Sequence, residues 1–463
     1  MLSLVTPNAR YGRREFLRIG SLGLGGLSLP GLMAAQAAAG AGQLVTGKSV
    51  IFLFLHGGPS QIETFDPKMT APEGIRSSTG EIDTRIPGVT FGGTFTKLAA
   101  LADRLTVVRS FTTGDANHDI KPVVGRDTGG ANLGTLYSRI VGTNHATTGM
   151  PTNAALFPQA VDPAREPAQK TFGNFESSGG LGTAFAPFVP GAGGDLQRDM
   201  QLSLSVDRLD DRRSLLSGLD RVKFALDAAG RLDGLDRLRE QAFGTIVGGV
   251  AGAFDLSKED PRIVARYDTS TLMTADDIDK KWNNHKYYVD NVKTLGKLLL
   301  LARRLCERGC GFVTVTTNFV WDNHADINNA GVAEGMRYCG APLDHAVSAF
   351  IEDVAERGLS DKILLVCCGE MGRTPRLNQN GGRDHWGGLA PLLVTGGRLK
   401  MGQAIGQSTR DAGEPAGDPV RNANLIATIM HTLFDVGELR VTRGVPNEVM
   451  RAATAADPIA GLL

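Results

Sequence analysis

Cysteine is scarce in this chain: there are five in 463 residues, Cys306, Cys310, Cys339, Cys367 and Cys368, all in the last third. An odd count at these spacings excludes a disulfide framework, and Cys-x₃-Cys at the end of a helical stretch is a poor zinc signature, so buried thiols with at most one or two bridges are expected. Net charge is absent too, with 49 basic against 49 acidic residues. Without a basic tract there is no electrostatic footprint for nucleic acid or for an anionic membrane, and an anionic substrate has to be held by a local site. No short-period repeat occurs. The Gly-x-Ser-x-Gly elbow is missing as well, which weighs against a serine esterase even though His56-Gly57-Gly58-Pro59-Ser60 resembles an oxyanion-hole loop.

Glycine, by contrast, is plentiful: 59 residues exceed the usual share of about 7%, and much loop-rich backbone is expected. Near the start, Gly12-Arg13-Arg14-Glu15-Phe16-Leu17-Arg18 precedes an apolar stretch that ends in Ala35-Gln36-Ala37. That stretch is too short and too rich in Gly and Pro for a stable membrane span, and it closes on an A-x-A cleavage pattern. Residues 1–37 therefore read as a twin-arginine export signal, with the twin-arginine translocase as partner and a periplasmic or extracellular mature protein. An uncleaved anchor helix or a chance arginine pair is the blander alternative. The segment holds Arg10, Arg13, Arg14 and Arg18 against Glu15, so its removal leaves 45 basic and 48 acidic residues, a net charge near −3.

Beyond the leader, strands alternate with helices. "SVIFLFLHGGPSQ" reads as a buried strand and a tight turn, and "FTKLAALADRLTVVRS" as a helix from about Thr96 to Arg104 and a strand from Leu105 to Val108. Later, a helix carrying Leu295, Leu298, Leu299, Ala302 and Leu305 stops at Gly309 before a strand from Phe312 to Thr316. A second, carrying Leu343, Val347, Phe350, Ile351 and Val354, stops at Gly358 before the strand Ile363–Cys368. This grammar predicts an α/β fold with a mostly parallel central sheet flanked by helices. A helical, loop-rich insertion is expected at about 140–290, with an amphipathic, leucine-spaced stretch over 203–255. The domain spans 45–440 and a tail 441–463.

In open parallel sheets, ligands sit beyond the carboxyl ends of strands. Four of the eight histidines follow predicted strands, each beside acidic or glycine residues: His56, His118, His324 and His385. Asp322-x-His324 places two ligand types two residues apart, which extended or turning backbone directs to one side. Histidine with carboxylate suits zinc, manganese or iron, and two such ions would sit about 3.5–4 Å apart. Arg373 and Arg383 are candidates for a bidentate grip on sulfate, phosphate or carboxylate, or else Arg373 pairs with Glu370 and ties down its loop.

"HGGPSQIETFDPK", "FVTVTTNFVWDNHAD", the block ending "CCGEMGRTP" and "GRDHWGGLAPLLVTGG" resemble the successive blocks of the DUF1501 family, over about Lys48 to Gly437. The stretch from about Ser270 to Asn291 is longer than that family's pattern. The resemblance implies kinship with the alkaline phosphatase and sulfatase superfamily: a large α/β sandwich holding one or two divalent ions, zinc, manganese or calcium, at its strand ends. It implies Asp322, His324, Glu370 and His385 as metal ligands. His56 and His118 are left as further ligands or acid/base groups, and Arg373 or Arg383 on the anion. Two departures stand out. His56-Gly57 replaces the acidic ligand after the first strand, and Asn117-His118, upstream of Thr128-Gly129, replaces the nucleophile, leaving Ser110, Thr112 and Thr113 as fallbacks. The implied function is an exported metal-dependent hydrolase of a small-molecule or polysaccharide sulfate or phosphate ester. The alternative is a non-catalytic exported protein that binds a polysaccharide or a cell-surface partner.

Overall fold

The computed structural model describes residues 44–191 and 250–463. The leader over 1–37 and nearly all of the leucine-spaced stretch at 203–255 lie outside the described residues. Seven strands form the central sheet: β1 (Ser49–Phe54), β2 (Thr106–Val108), β3 (Asn153–Leu156), β4 (Phe312–Val315), β5 (Ile363–Cys368), β6 (Leu392–Gly396) and β7 (Gln403–Ile405). Their spatial order is β7-β2-β6-β5-β1-β4-β3. Six run in one direction and β6 alone is reversed, so the expected α/β fold with a mostly parallel sheet is what the chain adopts.

Both faces are covered because successive side chains of a strand point opposite ways. Ile51 and Leu53 of β1 face a core built with Leu295, Leu298 and Leu299 of α3 (His285–Glu307) and Val347 and Phe350 of α4 (Gly340–Glu356). Val50, Phe52 and Phe54 face Ile426, Ile429 and Met430 of α5 (Asn422–Leu433) and Val449 of α6 (Asn447–Thr454). Each such apolar side chain contributes about 1.5–3 kcal/mol by leaving water. The two predicted helix stops hold: Gly309 and Gly358 take φ of 101° and 65°, the left-handed turn that glycine enters without a Cβ penalty.

Several expectations give way. Strand β3 lies inside the region read as an insertion; Asn-Ala-Ala-Leu carries no strand signature and is held by parallel pairing with β4. The helix at 96–104 is two pieces, α1 (Thr96–Ala100) and a 3₁₀ turn at Ala102–Arg104. Residues after 440 are no loose tail, since Val449, Ala452, Ala453, Ile459 and Leu462 are buried in the core. All five cysteines are free and buried. Among the described residues no helix is long and apolar enough to cross a membrane.

Between α3 and α4 lies an ionic network built on buried Arg303 and Asp353 and reaching the surface at Glu307 and Arg357. Arg303, 1% exposed, reaches Asp353 at 2.9 Å, Glu259 at 2.9 Å and Glu307 at 2.6 Å. Arg304 joins Glu259 at 2.8 Å, and Arg357 joins Asp353 at 2.7 Å and Glu259 at 2.9 Å.

Candidate metal centre

Four side chains from three separate loops meet beyond the carboxyl ends of the strands. After β4, His56 O accepts from the amides of Val320 and Trp321 at 3.1 and 3.0 Å, pinning the loop to the end of β1. Asn318 and Ala325, with φ of 62° and 59°, turn the backbone on either side of Asp322 and His324. His385 enters on a two-residue antiparallel ladder, paired with Arg373, while Trp386 pairs with Gly372. The loop can return this closely because Gly382 has no side chain: a Cβ there would lie 2.0 Å from His324 O. His118 arrives from the loop that follows β2, its ring against Phe172 and Phe319 at centroid distances of 5.0 and 4.7 Å.

Three imidazole nitrogens converge on one carboxylate oxygen. Asp322 Oδ1 lies 2.9 Å from His324 Nε2, 3.3 Å from His385 Nε2 and 3.4 Å from His118 Nε2. His324 Nε2 and His385 Nε2 are 2.8 Å apart, and the four ligand atoms all lie within 4.8 Å of one another. A tetrahedral ion with bonds of about 2.0–2.2 Å needs ligand atoms roughly 3.3–3.6 Å apart, so a small closing or opening of this set admits one. Each neutral ring carries a single proton, and His324 Nε2 alone has three polar neighbours, so hydrogen bonds cannot satisfy the crowding that a cation would.

The groups behind the ligands fit the same reading. His118 Nδ1 faces Glu370 Oε1 at 3.0 Å, and His324 Nδ1 faces Asp384 Oδ1 at 3.3 Å. Carboxylates in that position fix the ring so that Nε2 points at the ion. Glu370 therefore lies outside the four-residue cluster, as orienter of His118; Gly57 N donates to both its oxygens at 2.9 and 3.2 Å. Asp322 Oδ2 accepts from Asn329 Nδ2 at 2.9 Å, and Asn329 Oδ1 accepts from Asn284 Nδ2 at 2.8 Å. Neither asparagine was singled out from sequence; the only pointer was that the unusually long stretch at 270–291 contains Asn284.

Arg373 and Arg383 are each paired with a carboxylate of the protein, Asp322 and Glu63. Arg373 is fully buried: Nε donates to Gly58 O at 2.7 Å, Nη1 to Arg383 O at 3.2 Å, and Nη2 to Gly57 O and to Asp322 Oδ1, the latter at 2.6 Å. Its donors clamp the loops after β1, β4 and β5, and Nη1 also lies 3.4 Å from His324 Nε2. Arg383, also fully buried, pairs with Glu63 at 2.9 Å and caps the carbonyls of Ile75, Arg76, Thr374 and Pro375. His56 is likewise outside the cluster. It is 1% exposed, neither ring nitrogen has a hydrogen-bond partner, and the rings of Phe54, Phe172, Phe175 and Phe319 surround it. Desolvation there lowers its pKa to about 4, which leaves an uncharged ring walled off from substrate.

The hydroxyls considered as nucleophiles are engaged elsewhere. Ser60 Oγ accepts from Glu63 N, Thr112 Oγ1 donates to Gly387 O and Thr113 Oγ1 to Asp115 O. Asn117 N is tied to Asp115. Ser110 is buried. Electrostatics at the centre favour the ligating form of Asp322 and of His385 and oppose that of His118. Burial would raise the Asp322 carboxyl, but Arg373 and the three imidazoles hold it far below the usual range. Burial lowers His385 and opposes charge on His118, where the bonds to Asp322 and Glu370 win and raise it. The centre opens on a pocket of about 370 Å³.

Fold and site together define an α/β protein with a histidine and carboxylate centre at the carboxyl ends of its sheet. The chain belongs to the family described as "Protein of unknown function (DUF1501)", whose model matches residues 47–462. No curated protein matches it. Among solved structures it is similar to a sulfatase from Pseudoalteromonas sp., with 11% identity over 87% of this chain and 70% of that one and a TM-score of 0.37. It is also similar to the lipoteichoic acid synthase LtaP from Listeria monocytogenes, with 9% identity over 90% and 81% and a TM-score of 0.32. An alkaline phosphatase from the Antarctic bacterium TAB5 follows, with 11% identity over 78% and 95% and a TM-score of 0.25.

Proposed function

We propose that the protein is an exported, metal-dependent hydrolase of the alkaline phosphatase and sulfatase type, acting on a sulfate or phosphate ester. One observation carries this reading: three imidazole nitrogens and one carboxylate oxygen lie within 4.8 Å of one another beside an open pocket. Asp322, His118, His324 and His385 would hold the ion. With nitrogen and oxygen donors in this number, zinc and manganese suit the set better than calcium, which takes six to eight oxygens. Among the described residues there is one such cluster, so a single ion is proposed. The Arg-Arg leader and its A-x-A end support export.

A divalent ion bound there supplies Lewis-acid polarisation of the ester and lowers the pKa of water. The protein's own part is placement. Arg373 and Asn329 fix the two oxygens of Asp322, Glu370 and Asp384 fix the tautomers of His118 and His324, and Phe172 with Phe319 walls one side of the centre against solvent. Hydrolysis joins the water oxygen to sulfur or phosphorus, breaks the bond to the alcohol oxygen, and returns a proton to the departing alcohol. The engaged hydroxyls support direct attack by water over a covalent enzyme intermediate. They are also the observation that favours the second reading, a binding protein without catalysis.

Chromogenic sulfate and phosphate esters offered to the purified protein with zinc or manganese test the proposal. Turnover that chelator and His324→Ala both abolish supports the hydrolase. No turnover with either ion, in a protein that holds its metal, contradicts it in favour of the binder.

A further inference from the structure

The pocket beside the centre contains no cation. Besides ligands it is lined by Phe172, Phe319, Tyr287, Gln169, Asn284 and Asn328, with Asp326 at the rim, and by no lysine or arginine. Arg373 and Arg383 are engaged internally, and nearby Lys121 is paired with Asp115 at 2.9 Å and Asp119 at 3.1 Å. Around the ligands, Asp322, Glu370 and Asp384 contribute three negative charges and Arg373 one positive, so the shell sums to −2 with neutral imidazoles. A divalent ion cancels that sum and leaves no surplus positive charge for a dianion.

What the pocket does offer is flat apolar surface and neutral hydrogen-bonding groups. Phe172, partly exposed, stacks on buried Phe319 at 4.7 Å with 26° between their planes and presents its outer side to the opening. Gln169 Nε2 reaches the Tyr287 hydroxyl at 3.3 Å at the same opening. A carboxamide is donor and acceptor at once, so it can meet a hydroxyl in either sense, while an aromatic face accepts the C–H surface of a saturated ring. A carboxylate or a second phosphate in this space would be desolvated without a partner.

We propose that the pocket takes an uncharged, hydroxyl-rich ring, a neutral sugar residue whose ester carries at most one negative charge. This rests on the hydrolase reading only for the ester; the ring's binding is separable. The test is calorimetric titration of the full zinc-loaded chain with neutral gluco-, galacto- and manno-configured trisaccharides and with the matching uronate trisaccharides. At least one neutral sugar binds and its uronate binds less tightly. Phe172→Ala and Phe172→Leu, the second keeping the bulk, each weaken binding by about tenfold. Binding of neutral sugars without any ester cleavage leaves this proposal standing and removes the hydrolase. Ester cleavage without binding of any neutral sugar, tighter binding of uronates, or unchanged affinity in both folded Phe172 variants overturns the proposal and spares the hydrolase.

Discussion

Two ionic clusters in this molecule, each built around a buried arginine, meet the same physical problem and resolve it differently. Between α3 and α4, Arg303, Arg304 and Arg357 face Glu259, Glu307 and Asp353, three charges against three, and the network is complete within the protein. At the strand ends, three carboxylates face one guanidinium, and three imidazoles are aimed at one oxygen. The first cluster needs nothing further; the second is one that a cation could complete, as proposed above. Charge that is buried and balanced is architecture, and charge that is buried and unbalanced marks the working site.

Breaking the two clusters separates these roles. Asp322→Ala removes the carboxylate paired with buried Arg373 and is expected to cost about 3–5 kcal/mol in denaturant unfolding, whereas Arg303→Ala leaves Asp353 with Arg357 and Tyr267 and is expected to cost no more than that. Only the first should abolish metal binding, measured on the folded fraction. Equal metal content in the two variants would dissolve the distinction.

How far the sequence reached follows from the same contrast. Hydrophobic runs made β1 and β5 and the helices between them readable, because Val50–Phe54 and Ile363–Cys368 are buried on both faces. Strand β3 was not readable, since its four residues carry no apolar or β-branched pattern and its place is set by β4. At the site, Asp322 and His324 stand out as a ligand pair after a strand, the family resemblance adds His385 and Glu370, and His118 reads as a further ligand or an acid/base group. For the arginines the sequence leaves two readings open, since a guanidinium in a glycine-rich loop looks alike whether it grips a substrate or ties down its own loop. Only the convergence of Gly57, Gly58 and Arg383 carbonyls on Arg373 decides it. Asn284 and Asn329 gave no signal, because an asparagine in a loop is ordinary until its partner is known.

A smaller effect concerns pH. Burial among aromatic rings lowers the His56 pKa from its ordinary 6.5 to about 4. The unfolded chain therefore binds the extra proton first, and stability present above pH 6.5 falls as pH drops towards 4, by about 3 kcal/mol in all. His56→Phe should flatten that slope in unfolding measurements between pH 4 and 7; an unchanged slope would mean the ring is not held neutral.

Gly57 joins the first strand's loop to the centre. Its φ is 113° and a Cβ would lie 2.6 Å from Asp322 N, so Gly57→Ala is expected to lose about 1–3 kcal/mol and to weaken metal binding together. The mildest change is Glu370→Gln, which keeps the size but weakens the grip on His118. A loss of about 10–100-fold in metal affinity is expected, with little change in unfolding free energy. A variant as tight as the parent would remove Glu370 from the account.

The central claim is that His118, Asp322, His324 and His385 form one metal centre. Elemental analysis by mass spectrometry of protein purified without chelator, beside His118→Ala and His385→Ala, tests it most directly. One equivalent of zinc or manganese in the parent, lost from both folded variants, is the predicted result; a folded parent that carries no metal and gains none on exposure to either ion would contradict it.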